Sequence, residues 1–148
     1  MKTVISIWNS GGKGKTASIR AFADLLLKAY PGFKIIHAKT PIIPFKGDFR
    51  LIVEINGKIV GVESQGDPNT NLGGRLIELS DKFYCDIIIC SSRTRGETVD
   101  AVLNLQNNRS FEIIWTSTYQ VLDMAKHKLM NEIKGKHILD LLNIAGIL

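Results

Sequence analysis

Along the chain, short runs of apolar and β-branched residues alternate with longer stretches in which apolar positions recur every three or four residues. The two periods predict strands and amphipathic helices respectively. Thr3-Val4-Ile5-Ser6-Ile7-Trp8 reads as a buried strand bounded by Asn9-Ser10. Ile19, Phe22, Ala23, Leu26 and Leu27 then follow helical spacing until Tyr30-Pro31-Gly32 stops the helix. Lys34–Ala38 reads as a short strand, and residues 39–46 as a looser stretch punctuated by Pro41 and Pro44.

The clearest local signal is a hairpin. Residues 49–55 and Lys58–Glu63 are joined by Asn56-Gly57, the preferred pair for a type I′ turn, whose central residues both need positive φ. Leu72, Leu76, Ile77, Leu79 and Phe83 then predict a helix over 71–83, weakened at its start by Gly73-Gly74. The unbroken run Tyr84-Cys85-Asp86-Ile87-Ile88-Ile89-Cys90 reads as a central parallel strand. Val99, Val102, Leu103 and Leu105 predict a helix over 97–107, and Phe111–Thr116 reads as the last strand. Residues 121–148 read as two helical pieces separated by Lys134-Gly135-Lys136. The final residues, 138–148, are too apolar for a solvated tail and are expected to pack on the sheet. The alternative is a homodimer or protein-partner surface.

These elements predict an α/β fold, a three-layer α/β/α sandwich whose sheet is mostly parallel with one antiparallel hairpin strand. With 148 residues, 45% of them hydrophobic, the chain can bury one substantial core, so a single domain over 1–148 is expected.

Candidate chemistry sits between the first strand and the first helix, in Gly11-Gly12-Lys13-Gly14-Lys15-Thr16. Glycines let a backbone wrap a phosphate so that successive N–H groups point inward as an anion nest, and a helix N-terminus adds unpaired donors and a positive dipole end. Strand, glycine loop and helix is the context that a phosphate-binding loop requires. The alternative is a glycine-rich turn made soluble by lysines.

This segment resembles the Walker A loop of the P-loop NTPases, G-x-x-x-x-G-K-[ST], with Asn9 at its first position. The core also looks like the deviant loop of the chromosome-partitioning and cell-division ATPases, with Ser10 where that family carries a lysine. The resemblance implies a P-loop NTPase-like fold that binds ATP or another NTP together with Mg²⁺. Ser10, Gly11, Gly12, Lys13, Gly14, Lys15 and Thr16 would cradle the phosphates. Lys15 would reach the β- and γ-phosphate oxygens and Thr16 would offer its hydroxyl to Mg²⁺. Glu63-x-x-Gly66 resembles the D-x-x-G element of the GTPase-like branch, which implies Glu63 as the metal-linked acid and the Gly66 N–H as a γ-phosphate sensor. Gln65 or Asp67 would position the attacking water. The alternatives are a strand-ending Glu63 before a turn, and an Asp67-Pro68 pair that opens a turn or caps a helix.

The run ending at Cys90 delivers Ser91-Ser92-Arg93-Thr94-Arg95-Gly96 to the carboxyl end of its strand, the edge where open α/β sheets bind ligands. Arg93 and Arg95 there would grip a phosphorylated acceptor or neutralise transition-state charge, or lie in a solvated loop. By the same resemblance Ser117-Thr118-Tyr119 corresponds in position to the base-recognition loops of many P-loop folds but lacks the guanine-reading N/T-K-x-D pattern, which implies ATP as the expected nucleotide. Tyr119 would stack on the base or pack at a helix start.

The remaining composition narrows the picture only slightly. The net charge of +5 comes from dispersed basic residues, without an aromatic-interleaved basic stretch, so direct nucleic-acid binding is not expected. Neither a membrane span nor the apolar core of a signal peptide is evident, so a cytoplasmic protein without membrane association is expected. Cys85 and Cys90 are expected on opposite faces of one strand as buried free thiols. His37, His127 and His137 have neither ligand spacing nor a nucleophile partner. Three function classes follow: an Mg-dependent ATPase or nucleotide switch, a small-molecule or nucleotide kinase, and a nucleotide-binding regulator that does not hydrolyse.

Overall fold

Strand β1 (Lys2–Trp8) is buried on both faces, as its near-continuous apolar run requires of a strand inside a layered sheet. The computed structural model describes residues 1–38 and 47–148, and the proline-punctuated stretch expected at 39–46 lies outside the described residues. After β1 the order is α1 (Lys15–Ala29), β2 (Lys34–Ala38), β3 (Arg50–Ile55), β4 (Lys58–Glu63), α2 (Leu72–Asp81), β5 (Ile87–Ser92), α3 (Glu97–Arg109), β6 (Phe111–Thr116) and α4 (His127–Ile144). A short 3₁₀ turn, Met124–Lys126, leads into α4.

Among the described residues six strands form one sheet in the order β2-β3-β4-β5-β1-β6. Only β3 runs against the rest, pairing antiparallel with both β2 and β4, while β4/β5, β5/β1 and β1/β6 are parallel. The expected mixed sheet with one reversed hairpin strand is the observed one. Asn56 and Gly57 adopt φ of 52° and 77°, the positive values of a type I′ turn.

Side-chain alternation along the strands divides the core into two halves. Ile5, Ile7, Leu51, Val53, Val60, Val62, Ile87 and Ile89 face α1 and α4, which contribute Ile19, Phe22, Leu26, Ile138, Leu139 and Leu142. Val4, Ile52, Ile88, Cys90 and Phe111 face α2 and α3, which contribute Leu72, Leu76, Leu79, Val102 and Leu105. The period of two along each strand thus builds three layers. The apolar C-terminal stretch packs into the first half as expected: Leu141, Ile147 and Leu148 lie against it, while Ile144 stays exposed.

Two expectations are corrected. Lys134-Gly135-Lys136 does not separate two helices, because α4 runs through it unbroken. Gly135 is there for closeness: a Cβ on it would meet Phe22 N at 2.6 Å and Ala21 Cβ at 2.8 Å, so its absence lets α4 seat on α1. Cys85 and Cys90 share the α2/α3 half of the core instead of pointing to opposite faces. The strand begins only at Ile87, and Tyr84 at φ 53° turns the chain first, so strand parity does not reach back to Cys85. Both thiols are buried and free, and burial pushes each up to about 12. Among the described residues no helix is long and apolar enough to cross a membrane.

Candidate functional site

Four parallel strands end at the same edge of the sheet, as the register pairs Trp8 with Ser92, Ile7 with Thr116 and Glu63 with Cys90. The loop after β1 feeds α1 on one face and the loop after the neighbouring β5 feeds α3 on the other. The two loops therefore part to opposite faces at a topological switch point, the kind of place where open α/β sheets bind ligands.

The glycine loop stands at this edge. Asn9 anchors it, donating from its amide to Ser117 Oγ at 3.2 Å and Thr118 Oγ1 at 3.0 Å, and from its backbone to Ser92 O at 3.2 Å. Gly12 and Gly14 take φ of 70° and 80°, left-handed values that disfavour a side chain, and Gly14 opens α1. Among the described residues no side chain caps that helix start, and its first turn holds no acid, so protein side chains leave its first N–H donors uncapped. Ser10, Gly11, Gly12 and Lys13 are exposed, and the Lys13 carbonyl accepts from Gln120 Nε2 at 2.6 Å.

Lys15 is 7% exposed. Its Nζ donates to the carbonyls of Asn9 at 2.7 Å and Ser92 at 3.0 Å, which holds the ammonium between the loop and the end of β5. An ammonium has three donors, so one is left for a ligand. Burial, reinforced by the charge of Arg93 and opposed by Asp67, lowers the Lys15 pKa from its ordinary 10.5. The site raises the cost of a charge that, among the described residues, no directly bonded carboxylate offsets.

Thr16 meets an acid other than the one its motif suggests. Its Oγ1 donates to Asp48 Oδ1 at 3.0 Å, and the same oxygen accepts from Ser64 Oγ at 3.2 Å. Ser64 Oγ in turn accepts from Phe49 N at 2.7 Å. Glu63 is committed elsewhere. Its Oε2 accepts from Arg50 Nε at 2.6 Å, its Oε1 from Arg75 Nη1, and it is 4% exposed. The reason is alternation: Val60 and Val62 face α1 and α4, so Glu63 faces α2, which presents Arg75, and Ser64 returns to the side of Thr16. Arg75 also donates to the carbonyls of Gln65 and Thr70, stapling the segment after β4 to α2.

Gly66 packs so closely on Ser91 that a Cβ would run into the Ser91 backbone and hydroxyl, which brings the ends of β4 and β5 together. Asp67 accepts from Arg93 Nη2 at 3.0 Å and Nε at 3.2 Å, and its own N–H donates to Gln65 Oε1 at 3.3 Å. The Arg93 guanidinium lies against Gly11, where a Cβ would sit 2.8 Å from Nη2. Arg95 is exposed and forms no ion pair among the described residues. Lys15, Gly66, Asp67 and Arg93 are thus assembled at one place, with Thr16 beside them; Glu63 and Arg95 stand outside that group.

Tyr119 is held by packing partners, its hydroxyl 2.6 Å from His137 Nδ1 and Lys134 Nζ 4.8 Å from its ring centre. It lines a cavity of about 50 Å³ beside the loop, together with Gly12, Lys13, Gly14, His127 and Asn131. Asp48 and Asn131 carry no motif and are visible only through contacts. Asn131 Oδ1 would lie 2.6 Å from a Cβ at Gly14. Among the described residues no group of three or more His, Cys, Asp or Glu side chains could hold a metal ion. Mg²⁺ does not require one, since it is usually bound by one or two carboxylates with substrate phosphates and water. Thr16 and Asp48 fit that pattern, and Glu63, with both oxygens on arginines, does not. Comparison with family models, with curated proteins and with solved structures returns no match for this chain.

Proposed function

We propose that the chain binds a nucleoside triphosphate, with ATP the expected nucleotide, and hydrolyses it in a reaction that depends on Mg²⁺. The observation that carries this reading is Lys15, a buried ammonium held by two carbonyls at the mouth of a left-handed glycine loop. Such a cation needs an anion, and the uncapped start of α1 offers donors to the same anion. In this reading Lys15 binds the β- and γ-phosphates, while Thr16 and Asp48 hold the Mg²⁺. The bound ion supplies charge neutralisation at the phosphate oxygens. Water attacks the γ-phosphorus, the bond to the bridging oxygen breaks, and the products are the nucleoside diphosphate, phosphate and a proton.

A second reading, transfer to a small acceptor, is favoured by a cavity of about 390 Å³ lined by Asn69, Asn71, Glu97, Thr98 and Asp100. Thr98 also accepts the Arg93 backbone N–H at 2.9 Å, which links that cavity to the phosphate edge. The exposed Arg95 would then meet a phosphorylated acceptor. Incubation with γ-labelled ATP separates the readings: free labelled phosphate means hydrolysis, and label in an added small molecule means transfer. Binding without either product leaves a nucleotide-dependent regulator. Absence of ATP binding, or binding that survives Lys15→Ala, rejects all three.

A further inference from the structure

Two cations and one carboxylate share the front of the glycine loop. Lys15 Nζ is held on carbonyls, and the Arg93 guanidinium lies against Gly11. Asp67 is the carboxylate paired with them: it accepts from Arg93 Nη2 and Nε through a single oxygen, and its charge also acts on Lys15.

The Arg93–Asp67 pair differs from its neighbour in the means by which it is held. Glu63 uses both oxygens on Arg50 and Arg75, with its side chain 5% exposed. Arg93 and Asp67 are 36% and 51% exposed, so water screens their attraction and little is lost when they part. Phosphate oxygens take both arms of a guanidinium and bind it more strongly than one carboxylate oxygen does. The rest of Arg93 is fixed, because β5 and the bond from its N–H to Thr98 Oγ1 pin its backbone. Only the side chain has to turn.

We propose that Arg93 exchanges Asp67 for the terminal phosphate of the bound triphosphate, so that one chain supplies both phosphate-binding cations. Asp67 is the placeholder that keeps the guanidinium at the loop until that phosphate arrives. The exchange rests on the triphosphate reading above and extends it in two ways. It gives Asp67 the role of Arg93 counter-ion in place of water positioning. It also places both phosphate-binding cations, Lys15 and Arg93, within one chain, with Ser10 at the position before the double glycine.

The test is calorimetric binding of Mg-ATP and Mg-ADP to wild type, Arg93→Ala, Arg93→Lys, Asp67→Asn and Lys15→Ala, with a melting curve for each protein. Arg93→Ala is expected to weaken ATP by about tenfold or more and ADP by less than about threefold, and Arg93→Lys to fall between. Asp67→Asn is expected to tighten ATP, because the competing carboxylate is gone, and affinity is expected to be independent of protein concentration. Equal losses for ATP and ADP in Arg93→Ala overturn the exchange, as does Asp67→Asn weakening ATP as much as Arg93→Ala does. Those results leave the triphosphate reading standing when Lys15→Ala still abolishes binding. ATP binding that is absent, or indifferent to Lys15→Ala, overturns both.

Discussion

Thr16 Oγ1 donates to Asp48 Oδ1 at 3.0 Å, joining the end of the glycine loop to a residue 32 positions away. The pair makes Asp48 the carboxylate nearest the expected metal position. In Asp48→Asn, ATP binding in the presence of Mg²⁺ is expected to weaken by about tenfold, whereas binding in excess chelator stays unchanged. Asp48 is exposed, so the melting temperature should move by no more than about 1 °C. Titration with and without Mg²⁺ checks this. An undiminished Mg²⁺ effect in the variant would remove Asp48 from the metal site.

Glu63 is expected to act on stability first. Removing its charge leaves Arg50 and Arg75 facing each other across a buried neutral amide, where breaking a buried pair costs about 3–5 kcal/mol. Glu63→Gln should therefore melt roughly 6–20 °C below wild type. A variant that melts like wild type yet releases no phosphate would restore Glu63 as a chemical group.

Lys134 should show the opposite sign. It is 7% exposed, its Nζ donates to Thr116 Oγ1 at 2.5 Å, and burial alone holds its pKa below the ordinary 10.5. The unfolded chain therefore binds this proton more tightly than the folded one. Stability rises with pH between the lowered folded pKa and 10.5, and the full cost of the charge is present below that window. Lys134→Met should stabilise the protein at neutral pH by about 1 kcal/mol, roughly 2–4 °C, and lose that alkaline rise. Urea titrations at neutral and alkaline pH test both halves, and a variant less stable than wild type at neutral pH contradicts the assignment.

At Gly135, helix propensity and packing pull in opposite directions. Alanine in place of glycine gains about 1 kcal/mol in an unconstrained helix. Here its Cβ would meet the backbone nitrogen of Phe22 at 2.6 Å, an atom that cannot move aside cheaply. Gly135→Ala is expected to destabilise by about 1–3 kcal/mol and Gly135→Val by more. Thermal melts of the two variants decide it, since a stabilised Gly135→Ala would mean that α1 and α4 are not in close contact there.

Part of what the site does was within reach of the sequence. Asn56-Gly57 as a two-residue turn sets Ile55 opposite Lys58, and counting outward puts Arg50 opposite Glu63, the pair observed. The E-x-x-G pattern masks that cross-strand partner by suggesting a metal role for the same carboxylate. Asp48 had no comparable signal. It precedes the hairpin in irregular chain, where neither helical nor strand period marks a side chain's direction.

The order of apolar and polar residues determined by itself the six strands, the first three helices, the reversed hairpin strand and the glycine loop between β1 and α1. These depend on period and turn chemistry, which act over a few residues and leave their mark in the sequence. The tertiary structure alone decided that Glu63 turns to Arg75 and Asp48 to Thr16, that Arg93 rests on Gly11 beside Asp67, and that α4 passes unbroken over Phe22. Each of these depends on which face of the sheet a residue occupies and what a distant segment places there. Such contacts join residues far apart in the chain and leave no repeating pattern along it.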